Sequence, residues 1–202
     1  MTGRPSPLPR IYFIRHGETA WSLSGQHTGR TDLPLTEHGE KEARKLAERL
    51  SAVRFSRVFT SPLLRARQTS ELAGLGDAAS VESDAVEWDY GDYEGQRPAD
   101  IRKERQDWNI FRDGCPNGES PEQVSGRADQ LIGRLRNTEG NVALFSHGQF
   151  LRVLGARWIG LPVRYAQYLL LSTASVSILG FEHDRVEAPA IILWNAVAKD
   201  PP

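Results

Sequence analysis

Arg15 and His16 stand side by side where a short apolar run, Ile11 to Ile14, stops at Gly17. A guanidinium grips an oxyanion, an imidazole serves as nucleophile or proton carrier near neutral pH, and glycine lets backbone approach a ligand closely. The segment FIRHGET, Phe13 to Thr19, is therefore the first candidate for chemistry. A second apolar run ends the same way in FSHGQFLRV, Phe145 to Val153, with His147 and Gly148 at the turn and Arg152 about one helical turn later. SPLLRARQT, Ser61 to Thr69, sets Arg65 and Arg67 near the start of a helix. A helix start leaves N–H groups free for an anion, and an arginine there opposes the helix dipole unless a negative ligand compensates it. In EWDYGDYEG, Glu87 to Gly95, Glu87 precedes aromatic residues that can desolvate its carboxyl group enough for it to hold a proton, as general acid catalysis needs.

Each piece also has a duller reading. Arg15 and His16 can simply end a strand, Arg65 and Arg67 can be a solvated face, Glu87 can sit in a solvated loop, and His147 can be a satisfied core histidine. The four pieces together favour chemistry on phosphate, because all of them fall at one edge of the sheet inferred below and all suit an anion. Rival chemistries lack their parts. The five histidines, His16, His27, His38, His147 and His183, show neither HExxH spacing nor a nearby cysteine pair, so no metal site is expected. No GxxxxGK[ST] loop occurs, and Cys115 has no basic cradle after it.

The elements that must position these residues follow from pattern. Ile11 to Ile14, Arg57 to Thr60, Asn141 to Phe145, Val176 to Phe181 and Ile191 to Trp194 read as strands. Thr36 caps a helix carrying Ala43, Leu46, Ala47, Leu50 and Val53. Ser61 is expected to cap the next helix, with Pro62 in its first turn. Ser120 to Gln123 forms a capping box before the stripe Val124, Ala128, Leu131, Ile132 and Leu135, and another helix runs through Leu151, Leu154 and Trp158. Residues 17 to 35 read as a long functional loop. Strands alternating with helices predict an α/β fold of three layers, a mostly parallel central sheet with helices on both faces, whose ligands bind beyond the carboxyl ends of the strands.

At 202 residues the chain is expected to form a single domain, 11–198, behind a proline-rich tail of residues 1–10, with a loose end at Lys199 to Pro202. A formal net charge of -1 gives no general attraction to nucleic acid or anionic lipid, so anion affinity must come from local arginines. One cysteine excludes an intrachain disulfide, and no signal peptide or membrane-length run is found, which points to the cytoplasm. An apolar patch including Trp158 or Trp108 is a candidate homodimer surface, with core burial the alternative.

RHGET near the start, SPLLRARQT, Glu87 before a glycine-rich loop, and SHG near residue 147 together resemble the histidine phosphatase superfamily, in the branch that includes cofactor-dependent phosphoglycerate mutases. The resemblance spans about residues 11 to 185 and implies a phosphoglycerate mutase-like fold with neither metal nor cofactor. It implies that His16 becomes phosphorylated, that Arg15, Arg65 and His147 clamp the phosphoryl oxygens, and that Glu87 is acid and base. SGQHTGRTDLPLT, EWDYGDYEG and WNIFRDGCPNGES are more similar to fungal sedoheptulose-1,7-bisphosphatase and bacterial acid phosphatases than to the mutases, which implies a hydrolase of small sugar phosphates or bisphosphates. That similarity adds His27, Thr28, Tyr90, Arg152 and His183 as substrate contacts. Ser22 stands where many relatives carry asparagine, and its hydroxyl can bond a phosphate oxygen. A mutase-type phosphotransferase and a non-catalytic binding protein are the alternatives.

Overall fold

The computed structural model describes residues 8–197, so the expectations for residues 1–7 and Lys199 to Pro202 lie outside the described residues. In chain order the main elements are β1 (Arg10–Arg15), α1 (Ala20–Ser24), α2 (Glu37–Leu50), β2 (Phe55–Thr60), α3 (Leu64–Leu72), β3 (Ala79–Val81), α4 (Pro98–Glu104), α5 (Ile110–Asp113), α6 (Pro121–Arg136), β4 (Asn141–Ser146), α7 (Gly148–Trp158), β5 (Val176–Phe181) and β6 (Pro189–Ala196). They form one six-stranded sheet in the order β3-β2-β4-β1-β5-β6. The first four strands of that order run parallel; β5 pairs antiparallel with β1, and β6 antiparallel with β5.

Alternation along the central strands builds the three layers, because successive strand side chains point to opposite faces. Ile11, Phe13, Val142 and Leu144 pack with Leu131 and Leu135 of α6 and Leu151, Leu154 and Trp158 of α7. Ile14, Ala143 and Phe145 face the other way, onto Leu46 and Leu50 of α2. No helix among the described residues is long and apolar enough to cross a membrane.

Local signals place most helix starts. Thr36 caps α2 by accepting from Gly39 N–H, and Ser120 with Gln123 closes the expected capping box of α6. Three expectations are corrected. Residues 17–35 are not all loop: Thr19 caps the short α1 through its own capping box with Ser22. Ser61 is not a helix cap; α3 begins at Leu64 behind Leu63, its first N–H met by Asp32 Oδ1, while Ser61 Oγ accepts from His147 and from Leu63 N–H. Residues 8–10 are not tail, since Leu8 packs on the core and Arg10 opens β1.

Trp108 and Trp158 are core residues and do not form a dimer surface. They are 3% and 0% exposed, and each satisfies its buried indole N–H on a backbone carbonyl, Gly114 O and Gly180 O respectively.

Candidate active site

The register of β1 against β4 pairs Arg15 with Ser146, so the residues that follow, His16 and His147, emerge side by side at the carboxyl edge, with ring centroids 5.2 Å apart. His16 is 4% exposed. Its Nδ1 bonds the carbonyl of its own neighbour, Gly17 O, at 2.7 Å. A carbonyl only accepts, so Nδ1 carries the proton and Nε2 keeps its lone pair. Burial, then the charges of Arg65 and Arg15, push the His16 pKa well below the ordinary imidazole value. The ring is therefore an uncharged nucleophile at neutral pH.

Around it lies a pocket of about 190 Å³, lined among others by Arg15, His16, Ser22, His27, Thr28, Glu87, Tyr90 and Arg152. These eight of the eleven sequence-derived candidates come together. Arg15 reaches Leu171 O with one Nη at 2.6 Å, while its Nε is buried with no partner. A buried, under-bonded guanidinium is an anion site. Burial lowers the Arg152 pKa to about 10, leaving it cationic at neutral pH. The Tyr90 phenol is pushed up by burial and by Glu87, so it keeps its proton and can donate.

Glu87 is 7% exposed. One carboxyl oxygen accepts from Trp88 N–H and Phe150 N–H at 2.9 and 2.8 Å, the other from Gln149 N–H at 3.0 Å. Two of those donors belong to the first turn of α7, so the free N–H groups of that helix hold the carboxyl group against the pocket. Arg127 braces the same backbone. It donates to Asp84 O, Val86 O and Glu87 O and pairs bidentately with Glu119, which in turn accepts from Asp89 N–H.

The remaining three candidates are placed otherwise. Arg65 is fully buried behind the pocket wall, donating to Thr28 O, Gly29 O, Thr31 O and, through Nε at 3.1 Å, to His147 Nδ1. His147 therefore donates from Nε2 to Ser61 Oγ at 2.7 Å. Where the sequence reading has these two grip phosphoryl oxygens, the structure has them grip the 28–31 loop and each other. His183 is a correction outright. Because β5 runs antiparallel to β1, with Leu179 opposite Ile11, the turn after Phe181 lies at the sheet edge away from His16, and the His183 side chain is 82% exposed beside Glu182. Ser22 lines the pocket, but its hydroxyl donates to Thr19 O and accepts from Thr19 N–H.

Sequence reasoning passed over Gln26, Pro98, Gln149 and Leu171 of the lining. Gln149 had a signal, since it follows Ser146-His147-Gly148 directly at the helix start. Leu171 acts through its carbonyl, which no side-chain pattern reveals. Among the described residues, no cluster of three or more histidine, cysteine or acidic side chains is arranged to hold a metal ion.

Residues 11–196 match the sequence pattern described as histidine phosphatase superfamily (branch 1). The chain belongs to that superfamily. Among its relatives is a protein named sedoheptulose 1,7-bisphosphatase from Saccharomyces cerevisiae, 41% identical over 192 residues, 79% of this chain and 71% of that one. An acid phosphatase of Mycobacterium tuberculosis is 40% identical over 178 residues, 86% of this chain and 87% of its own. The solved structure of a Mycobacterium tuberculosis open reading frame superimposes with a TM-score of 0.87 at 36% identity, covering 96% of this chain and 99% of that one. This histidine phosphatase thus has the mixed, mostly parallel sheet expected of it.

His27 tests the electrostatics of the site independently of turnover. Its ring stacks on Tyr90 at 4.3 Å, its Nε2 is buried without a partner, and burial, then Arg102, lower its pKa to about 4. The folded protein keeps this ring neutral while the unfolded chain protonates it near pH 6.5. Its contribution is therefore complete above pH 6.5 and is lost as pH falls toward 4, by up to about 3 kcal/mol. We expect urea midpoints to drop across that window and His27→Gln to flatten the drop; parallel profiles for the two proteins would refute the assignment.

Proposed function

We propose that this histidine phosphatase hydrolyses small phosphate monoesters, sugar phosphates in particular, through a phosphohistidine on His16. The observation that carries the reading is the fixed tautomer of His16, with Nδ1–H on Gly17 O and a free Nε2 beside the under-bonded Arg15 and the carboxyl group of Glu87. Nε2 attacks phosphorus, the bond from phosphorus to the ester oxygen breaks, and Glu87 gives its proton to the departing alkoxide. Glu87 then takes a proton from water as that water attacks the phosphohistidine; the P–N bond breaks, phosphate leaves, and His16 is neutral again. Charge on the transferring group is met by Arg15 in the pocket lining, with the buried guanidinium of Arg65 adding its field from behind.

Substrate size is read from the pocket and from the cavity of about 310 Å³ that adjoins it, lined by His27, Arg102, Trp108, Gln149, Arg152 and Gln167 among others. An annex with two arginines and polar amides suits a sugar with a further anionic group. The name of the yeast relative, a sugar bisphosphatase, supports the same substrate class, and that of the mycobacterial relative supports phosphate ester hydrolysis. The activity is assigned to one domain, 11–198, and to the cytoplasm, in keeping with the free, buried Cys115.

The test is phosphate release from a panel of sugar phosphates and bisphosphates, with phosphoglycerate interconversion primed by the bisphosphate run beside it. Release from at least one sugar phosphate is expected. Folded protein that releases none refutes the reading, and interconversion without release assigns the mutase reaction instead.

A further inference from the structure

The carbonyl that sets the tautomer of His16 belongs to a peptide that is itself held from the far side. The amide N–H of that peptide is Glu18 N–H, and it donates to Glu42 Oε2 at 2.9 Å. The other carboxyl oxygen of Glu42 accepts from Thr173 Oγ1 at 2.9 Å, and His38 Nε2 stands 3.7 Å from it. Thr173 immediately precedes Ala174, whose N–H bonds His16 O at 3.1 Å, and Gly17 N–H is taken by the buried Thr69 hydroxyl at 3.1 Å. The backbone on both sides of Gly17 is thus fixed by α2, α3 and the loop before β5 together. Packing agrees with this. A Cβ on Gly39 in the first turn of α2 would meet Glu18 O at 2.1 Å, so α2 lies directly against the segment that follows the nucleophile.

We infer that Glu42 is a positioning residue for the nucleophile, acting through one peptide: carboxylate, Glu18 N–H, Gly17 C=O, His16 Nδ1–H. A carboxylate on the N–H side of an amide polarises it and makes its carbonyl oxygen a stronger acceptor, since linked hydrogen bonds reinforce one another. That oxygen then holds Nδ1–H more firmly. The benefit is greatest when Nε2 bonds phosphorus, because the ring then carries positive charge and its Nδ1–H becomes a charged donor. No proton moves along the chain; Nδ1 keeps its hydrogen while the phosphoryl group arrives at and leaves Nε2. The sequence hides this, because Glu42 lies on a helix whose motif reads only as capping and amphipathicity.

The inference rests on phosphohistidine formation at His16, and the experiment separates the two. Glu42→Gln keeps an acceptor for Glu18 N–H but removes the charge; Glu42→Ala removes both. With p-nitrophenyl phosphate, we expect the rate of phosphohistidine formation to fall about fivefold in the first and about thirtyfold in the second, with KM within about twofold. The His16 Nδ1–H proton resonance should move upfield in both. An unchanged rate, an unmoved resonance, or a loss confined to KM would each overturn the role. If the alanine variant does not fold, the near-isosteric glutamine variant decides the question alone. Absence of any acid-labile phosphoenzyme in the unmodified protein would remove the underlying reading, whatever the Glu42 variants do.

Discussion

His16→Ala should reduce phosphate release by roughly 10⁴-fold or more and abolish the acid-labile phosphoenzyme, while leaving a folded protein. The loss is expected to be this large because no neighbour can take over. His147, the other imidazole at the sheet edge, has one ring nitrogen occupied by Arg65 and the other by Ser61. Folding should survive because the ring enters the native state uncharged, its pKa pushed down by burial and by the two adjacent guanidiniums, so its removal strands no buried charge. The same depression carries a pH signature. With His16 neutral throughout the ordinary imidazole range, kcat/KM of the unmodified enzyme should show no acidic limb centred near pH 6.5 from this residue. Release that persists in the alanine variant within about tenfold of the parent, well short of a nucleophile's contribution, would rule out covalent catalysis here.

Glu87→Gln should slow sugar phosphates by roughly 10²- to 10⁴-fold, the range general acid catalysis supplies. Phosphohistidine formation from p-nitrophenyl phosphate should suffer far less, because nitrophenolate departs without protonation. This contrast between leaving groups is the measurement that identifies the acid, since a merely disordered pocket would penalise both esters alike. A second consequence is structural. The Glu87 oxygens accept from three backbone N–H groups, two on one oxygen and one on the other. An amide presents only one acceptor oxygen, so at least one of those donors would face an NH₂ group. The expected cost is about 1–3 kcal/mol, readable as a lowered melting temperature. Equal slowing of phosphohistidine formation from both esters would take the acid role from Glu87.

What could be read ahead of the structure was decided by neighbours in sequence. Thr36 and Ser120 cap helices because the N–H groups they satisfy lie three residues on. The runs before His16 and His147 read as strands because every residue of such a run is buried or nearly so. Ser61 misled for a tertiary reason. A hydroxyl beside Pro62 has every local mark of a cap, yet it is claimed by a histidine 86 positions away. β3 escaped notice because three residues carry no period. The stretch from Glu87 to Ser120 escaped because it is built of short turns and of the brief helices α4 and α5, held by long-range bonds such as Arg127 to Glu119.

The sequence by itself determined the chemistry on offer: an arginine and histidine at one strand end, a second histidine at another, a carboxyl group among aromatics, and the superfamily these imply. Residue types and short spacings suffice for that, because reactivity and helix capping are local properties. Only the tertiary structure decided which of these groups meet. Strand order and register set His16 beside His147, and the reversed direction of β5 sent His183 to the far edge. Buried partners turned Arg65 toward backbone carbonyls and gave Glu87 two of its three N–H donors. Direction and partnership are properties of the packed sheet, fixed by which buried donors and acceptors remain to be satisfied once the chain has closed on itself.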